Sequence, residues 1–284
     1  MENVENSDLS VEVVEELETL KPPTIEESLD FDALAASLEG LEGKLDKNPK
    51  TAAIILAGGQ GERFGRTGGK QLVEIAGKPM LTWSAEAFDT VGDIGLIVIV
   101  CPEDRQEEYL KIAIDPFPFV TPIVMAPAGV TRQESAFSGL EMVPEDFEFV
   151  IVHDGARPLI THDLIEHTIA MVKGNIDCDG AVVAIPAVDT LKVVENGVIV
   201  GTPDRRVFWS AQTPQCFRAG IYRRAHASAL SDGFVGTDDS ALIERLGGRV
   251  LAVEGFRDNF KLTVPEDYGM LEAVIRKLYG SSDR

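Results

Sequence analysis

Ala52-Ala53-Ile54-Ile55-Leu56-Ala57-Gly58-Gly59-Gln60-Gly61-Glu62-Arg63-Phe64-Gly65, continuing through Gly68-Gly69 to Lys70, is the stretch on which the fold turns. Its unbroken apolar run reads as a buried strand, and glycines straight after a strand let backbone N–H groups approach an anion closely. Arg63 and Lys70 supply the cations such an anion needs. The expectation is a polyphosphate-binding loop at the carboxyl end of a first strand. Two commoner loops do not fit. The Walker pattern requires Gly-Lys-Ser/Thr, but Gly69-Lys70 is followed by Gln71, and the dinucleotide pattern requires a third glycine where Phe64 stands.

Outward from this loop, apolar runs at 52–57, 96–101, 120–126, 147–152, 181–186 and 250–253 alternate with helix-like segments at 81–90, 103–112, 132–142, 163–172, 240–246 and 265–278. Strands that alternate with helices imply an α/β fold. The sheet should be Rossmann-like, wound and largely parallel, with ligands at the carboxyl ends of its strands. One interval breaks the alternation. Between Thr190 and Val200, two short β-rich runs flank Asn196-Gly197, the strongest short hairpin signal. The hairpin is expected over about 187–209, either as a projecting arm serving an interface or lid, or as an antiparallel extension of the sheet edge.

Composition narrows the class. With 47 acidic against 26 basic residues the formal charge is −21, which argues against a general nucleic-acid or anionic-membrane binder. Residues 1–50 hold 14 acids and 4 bases, a net of −10, with Phe31, Leu34, Leu38 and Leu41 at helical spacing. They read as an acidic, mostly disordered extension with one or two marginal helices, ahead of an ordered domain over 51–284. No run approaches a membrane span, and the acidic start Met1-Glu2-Asn3-Val4-Glu5 is unlike a signal or transit peptide, so a cytoplasmic protein is expected. Cys101, Cys178 and Cys216 are odd in number and widely spaced, indicating neither a disulfide framework nor a zinc site.

Leu56-Ala57-Gly58-Gly59-Gln60-Gly61-Glu62-Arg63 with Lys70-Gln71 resembles the signature of nucleotidyltransferases that join a nucleoside triphosphate to a sugar or polyol phosphate. Four further strings narrow the match: Val152-His153-Asp154-Gly155-Ala156-Arg157-Pro158, Gln212-Thr213-Pro214-Gln215, Gly236-Thr237-Asp238-Asp239, and Asn259-Phe260-Lys261-Leu262-Thr263. Together they resemble the 2-C-methyl-D-erythritol 4-phosphate cytidylyltransferases of non-mevalonate isoprenoid biosynthesis, over residues 52 to about 279. Family members often carry proline before Lys70 and methionine after Arg63, where this chain has Gly69 and Phe64.

The resemblance implies transfer of CMP from CTP to an acceptor phosphate, chemistry that rests on positioning and charge neutralisation. It makes Arg63, Lys70, Arg205 and Lys261 catalytic. It places CTP on Ala57, Gly58, Gly59, Gly61, Arg63, Lys70, Gly129, Arg132, Ser135, Asp154 and Gly155, and gives Asp154 a magnesium ion. The acceptor would meet Arg157, Thr190, Arg205, Asp258 and Lys261, with Thr190 and Arg205 delivered by the hairpin arm to a second subunit of a homodimer. His153 reads as structural, because an attacking phosphate is already an anion. Thr131 and Glu134 also fit an ordinary capping box at the start of a helix. The rivals are a cytidylyltransferase for ribitol or ribulose 5-phosphate, a GTP-using relative, and a non-catalytic CTP sensor.

Overall fold

The structure, a computed structural model, describes residues 50–59 and 69–279. The acidic segment 1–49, and residues 60–68 with Gly61, Arg63 and Phe64, lie outside the described residues.

The apolar run becomes β1 (Thr51–Leu56), a fully buried strand except at its last residue. In chain order there follow a small ladder, β2 (Glu74–Ile75) with β3 (Lys78–Pro79), then α1 (Met80–Asp89), β4 (Ile94–Cys101), α2 (Gln106–Tyr109) and β5 (Ile123–Pro127). Next come α3 (Arg132–Glu141), β6 (Phe149–Asp154), α4 (His162–Lys173), β7 (Gly180–Pro186), and the pair β8 (Val193–Glu195) and β9 (Val198–Gly201). The chain closes with β10 (Trp209–Arg218), α5 (Ala219–Asp232), α6 (Ser240–Arg245), β11 (Val250–Glu254) and α7 (Asp267–Tyr279).

Seven strands form one sheet in the order β11-β7-β10-β6-β1-β4-β5. β1 runs parallel to both β4 and β6, and β5 is parallel to β4; β10 is the antiparallel partner of β6. The chain winds to one side of β1 through β4 and β5, then crosses to its other side as β6. That reversal opens a crevice at the carboxyl ends of β1 and β6, where a wound sheet binds its ligand.

Burial on both faces explains why β1, β4 and β6 are continuous apolar runs rather than alternating ones. Ile54, Val98, Val100, Val150 and Val152 pack in one cluster with Leu140 of α3 and Phe217 and Tyr222 of the β10–α5 corner. Helix α3 lies so close that a Cβ at Gly139 would stand 2.5 Å from the Ile54 Cγ2 and 2.8 Å from the Val100 Cγ2. A second cluster gathers Val73, Ile75, Met80, Leu159 and Leu262 with Leu271 and Ile275 of α7.

The expected fold class is borne out, with local corrections. The third apolar run starts as a strand at Ile123, not 120, because the Asp89 carboxylate accepts from the N–H of Val120 (3.1 Å) and Thr121 (2.7 Å) and holds them out of the ladder. The helix expected over 103–112 is a 3₁₀ turn (Glu103–Arg105), the short α2 and a wide π turn (Leu110–Ile114). β10 and α5 were not anticipated. Pro214 inside a mixed polar stretch, Trp209 to Arg218, hid the strand.

Among the described residues, Ile185–Ser210 form a compact unit apart from the sheet domain. In that unit β8 and β9 pair antiparallel across Asn196 (φ 48°) and Gly197 (φ 81°), as the Asn-Gly signal demands. They make their own two-stranded sheet, which sets aside the edge-extension reading.

Candidate active site

An open cleft of about 880 Å³ lies at the switch point, lined by Gly58, Gly59, Lys70, Gln71, the turn from Ala128 to Thr131 with Arg132, Glu134 and Ser135 of α3, Asp154, Lys261 and Thr263 among others. Its floor is tightly built. A Cβ at Gly58 would sit 2.3 Å from the Ala128 Cβ, so the loops after β1 and β5 meet only because residue 58 is glycine. Ala57 is tied down by its N–H to the Val100 carbonyl (2.7 Å), and its own carbonyl accepts from the Tyr109 hydroxyl (3.3 Å).

Asp154, the last residue of β6, is the centre of charge. Its Oδ1 lies 3.5 Å from the Arg132 Nε; its Oδ2 lies 3.4 Å from the Arg157 Nε and 2.9 Å from the Lys261 Nζ. Burial alone would push this carboxyl up, but Lys261, Arg132 and Arg157 outweigh burial and hold its pKa well below the usual carboxylate range. Asp154 therefore stays ionised at any working pH.

Arg132 bridges two carboxylates. Its Nη1 donates to the Asp239 Oδ2 at 2.5 Å, and the Tyr222 hydroxyl donates to the Asp239 Oδ1 at 2.7 Å. Burial works against the charge on Arg132, yet Asp239 and Asp154 overcome it and its pKa is raised. The α3 N-terminus that carries Arg132 is fixed by the expected capping box: the Thr131 Oγ1 accepts from the Glu134 N–H, and the Glu134 carboxylate accepts from Thr131 N–H. Ser135 also shapes this turn. Its hydroxyl accepts from the Gly129 N–H (3.0 Å) and donates to the Thr131 carbonyl (2.9 Å).

Lys70 is a buried part of the same lining, its Nζ donating to the Leu262 carbonyl. His153 is fully buried and neutral, as expected for a structural residue. The Arg157 carbonyl can only accept, so the His153 Nε2 carries the ring's proton and donates to it (3.2 Å); Nδ1 then accepts from the Thr213 hydroxyl (3.0 Å), whose oxygen accepts from the Asp154 N–H (3.0 Å). Burial lowers the His153 pKa to about 3.

The structure thus brings Gly58, Gly59, Lys70, Gly129, Arg132, Ser135, Asp154 and Lys261 together around one cleft. It does not bring every expected residue there. Ala57 and Gly155 lie behind the lining, Gly155 donating to the Leu56 carbonyl. Arg157 faces inward, its Nη1 donating to the Asn259 carbonyl (2.7 Å), so it steadies Asp154 from behind. Asp258 is exposed outside the lining. Thr190 and Arg205, expected at the acceptor of a second subunit and not at this cleft, belong to the arm unit, where the Arg205 Nη1 donates to the Val188 carbonyl (2.5 Å). Gly61 and Arg63 lie outside the described residues. Asp239, Tyr222 and Thr213 carry structural bonds of the site that sequence reasoning did not assign; the strings around Asp239 and Thr213 were the available signal.

Among the described residues no group of three or more His, Cys, Asp or Glu side chains forms a metal site. Asp154 offers one carboxylate to the cleft, since the other one lining it, Glu134, is engaged in its cap. Magnesium takes oxygen ligands, keeps several waters and manages with one or two carboxylates when a substrate supplies phosphate oxygens. The donor set fits an ion brought in on a triphosphate.

A wound α/β sheet with a glycine turn and clustered cations at its switch point defines a nucleotide-binding transferase of the nucleotidyltransferase kind. The family model of IspD, 2-C-methyl-D-erythritol 4-phosphate cytidylyltransferase, matches residues 51–277, and this chain belongs to that family. It is 40% identical over 227 residues to the 2-C-methyl-D-erythritol 4-phosphate cytidylyltransferase of Caldanaerobacter subterraneus subsp. tengcongensis, covering 80% of this chain and 99% of the relative. It is 40% identical over 223 residues to that of Syntrophotalea carbinolica, covering 78% and 94%. The 4-diphosphocytidyl-2C-methyl-D-erythritol synthase structure from Anaerococcus prevotii superposes with a TM-score of 0.71 at 27% identity, over 81% of this chain and 100% of that one. The Thermus thermophilus cytidylyltransferase structure gives 0.64 at 29% identity, over 79% and 98%.

Proposed function

We propose that this chain transfers CMP from CTP to 2-C-methyl-D-erythritol 4-phosphate, releasing pyrophosphate. The observation that carries the reading is the convergence of Lys70, Arg132 and Lys261 on one cleft around the ionised Asp154. An acceptor phosphate oxygen attacks the α-phosphorus of CTP in line; the new P–O bond forms as the bond to the β-phosphate oxygen breaks and pyrophosphate leaves. No proton has to be removed from the nucleophile, which agrees with the absence of a base role for the buried, neutral His153.

Lys70, with Arg63, neutralises charge growing on the α-phosphoryl oxygens, a use of cations fixed in place before the reaction. Lys261 holds nucleophile and electrophile together, and Asp154 keeps Lys261 and Arg132 aimed. The Ser135 hydroxyl, whose proton is already committed to Thr131, retains a lone pair to accept from the amino group of cytosine. Magnesium, when bound, would neutralise the leaving pyrophosphate, with Asp154 as its protein ligand.

The arm is assigned to dimerisation. Val194, Val198, Ile199 and Val200 are exposed on it, an apolar set suited to a second copy, and Thr190 with Arg205 would serve the acceptor of that copy. Residues 51–284 form the catalytic domain, residues 1–50 are an acidic extension outside it, and the enzyme works in the cytoplasm. Incubating the protein with CTP, magnesium and methylerythritol phosphate, and identifying the products by mass, tests the reading. Equimolar 4-diphosphocytidyl-2-C-methyl-D-erythritol and pyrophosphate are expected; CTP consumed without a cytidylylated polyol would contradict it. Arg205→Ala should impair acceptor use while sparing CTP binding, and a monomer at working concentration in sedimentation would overturn the arm assignment.

A further inference from the structure

Two sequence strings, Gln212-Thr213-Pro214-Gln215 and Asn259-Phe260-Lys261-Leu262, interlock through a single side chain, Asn259, that has no role so far. Asn259 is fully buried. Its amide nitrogen donates to the Gln212 Oε1 (3.1 Å) and to the Thr213 carbonyl on β10 (2.9 Å), using both of its protons. Gln212 is in turn fixed by its own amide, which donates to the Phe256 carbonyl (3.2 Å). The Asn259 carbonyl accepts from Arg157, and the Leu262 N–H donates to the Ala156 carbonyl (2.9 Å). Between these anchors the chain has no regular secondary structure, and Lys261 projects from it onto Asp154 while the Leu262 carbonyl receives Lys70.

We propose that Asn259 is a positioning residue for transfer: it clips the Asn259–Leu262 segment to β10 and so sets where Lys261 and the Leu262 carbonyl, and through it Lys70, stand relative to Asp154. Several features fit this role better than plain packing. Asn259 spends a buried polar side chain where an apolar one would fill space without needing partners, and its Oδ1 has no partner. Both donor bonds run to β10, which also fixes Asp154 through the Thr213 hydroxyl, so one strand carries the registers of the carboxylate and of its lysine partner. Loop residues placed within about 1 Å of productive geometry decide rate, and a misplacement of that size costs about 10²-fold.

The inference rests on the proposed cytidylyl transfer, and wild-type protein serves as the control that separates the two: failure of wild type to make product counts against that transfer, not against the clip. Given active wild type, Asn259→Ala is expected to lower kcat about 10²-fold and raise the acceptor KM, with CTP affinity measured by calorimetry near wild type. On a Lys261→Ala background, adding Asn259→Ala is expected to cost clearly less than it does alone, because the part of its effect that runs through Lys261 is already lost and only the part through Lys70 remains. Gln212→Met, which removes one of the two bonds, provides a milder variant should Asn259→Ala fold poorly; it should shift kcat and acceptor KM in the same direction by a smaller factor. Folded variants with unchanged kcat and acceptor KM, or an Asn259 effect that multiplies fully with that of Lys261→Ala, would overturn the proposal.

Discussion

The Lys261 Nζ lies 2.9 Å from the Asp154 Oδ2, joining the loop after β11 to the end of β6 across the cleft. The pair places a cation that is still 40% exposed where a polyanion would enter, with its carboxylate partner almost wholly buried. Such a lysine is free to exchange part of its contact for phosphate oxygen. Lys261→Ala is therefore expected to lower kcat by about 10²–10³ and to weaken the acceptor, as loss of one transition-state donor does. Steady-state kinetics in both substrates checks this; an increase in CTP KM alone would place Lys261 on the nucleotide only.

Acid sensitivity should come largely from His153. Folded, it is neutral down to about pH 3, while an unfolded histidine titrates near its ordinary value of about 6.5. Between those pH values the unfolded chain binds a proton that the folded chain refuses, so stability falls as pH drops, by up to about 1.4 kcal/mol per pH unit. His226, also lowered by burial, adds to the same slope. Asp154 acts lower: its depressed pKa gives stability that is present above the unfolded carboxyl value of about 3.9 and is lost as pH falls toward the folded one. Urea unfolding between pH 7 and pH 4 should show a shallower dependence in His153→Asn than in wild type. Equal slopes would mean that His153 accepts a proton in the folded state.

Tyr222 donates to the buried Asp239, which in turn holds Arg132 in the cleft wall. Tyr222→Phe deletes one hydrogen bond to a buried carboxylate and should destabilise by about 1.5–3 kcal/mol. The urea midpoint should drop with an unchanged m-value, and CTP affinity should weaken as Arg132 loses support. A variant as stable as wild type would show that Asp239 is satisfied without the phenol.

The architecture was largely legible because a parallel sheet buried on both faces writes its strands as continuous apolar runs, β1 and β4 most plainly. β10 was not legible, since Pro214 and its polar neighbours break the apolar run that marks the other strands, yet this strand carries Thr213 and Gln212. Of the site, the residues on strand ends and helix starts, Asp154, Arg132 and Ser135, were found by motif. Asp239 and Asn259 act through contacts with residues far away in sequence: Arg132 and Asp239 are 107 positions apart, and Asn259 and Thr213 are 46. Periodicity carries no information at that range. Arg157 was marked by its motif as a substrate ligand; in the structure two of its N–H groups hold Asp154 and the Asn259 carbonyl, contacts that the motif did not announce.

The cysteines should be inert in the folded protein. Cys101, Cys178 and Cys216 are all buried, and burial pushes each thiol up, Cys101 to about 12. A thiol reagent at pH 8 should modify none of them in the native protein and all of them in guanidinium. Fast native labelling of any one would reveal an opening that the packing of β4, β7 and β10 does not suggest.

The most direct measurement compares pyrophosphate release from CTP and magnesium with 2-C-methyl-D-erythritol 4-phosphate against ribitol 5-phosphate as acceptor, at equal enzyme and acceptor concentration. The account predicts rapid release with the methylerythritol compound and slow or no release with the ribitol one. Faster turnover of ribitol 5-phosphate would contradict it.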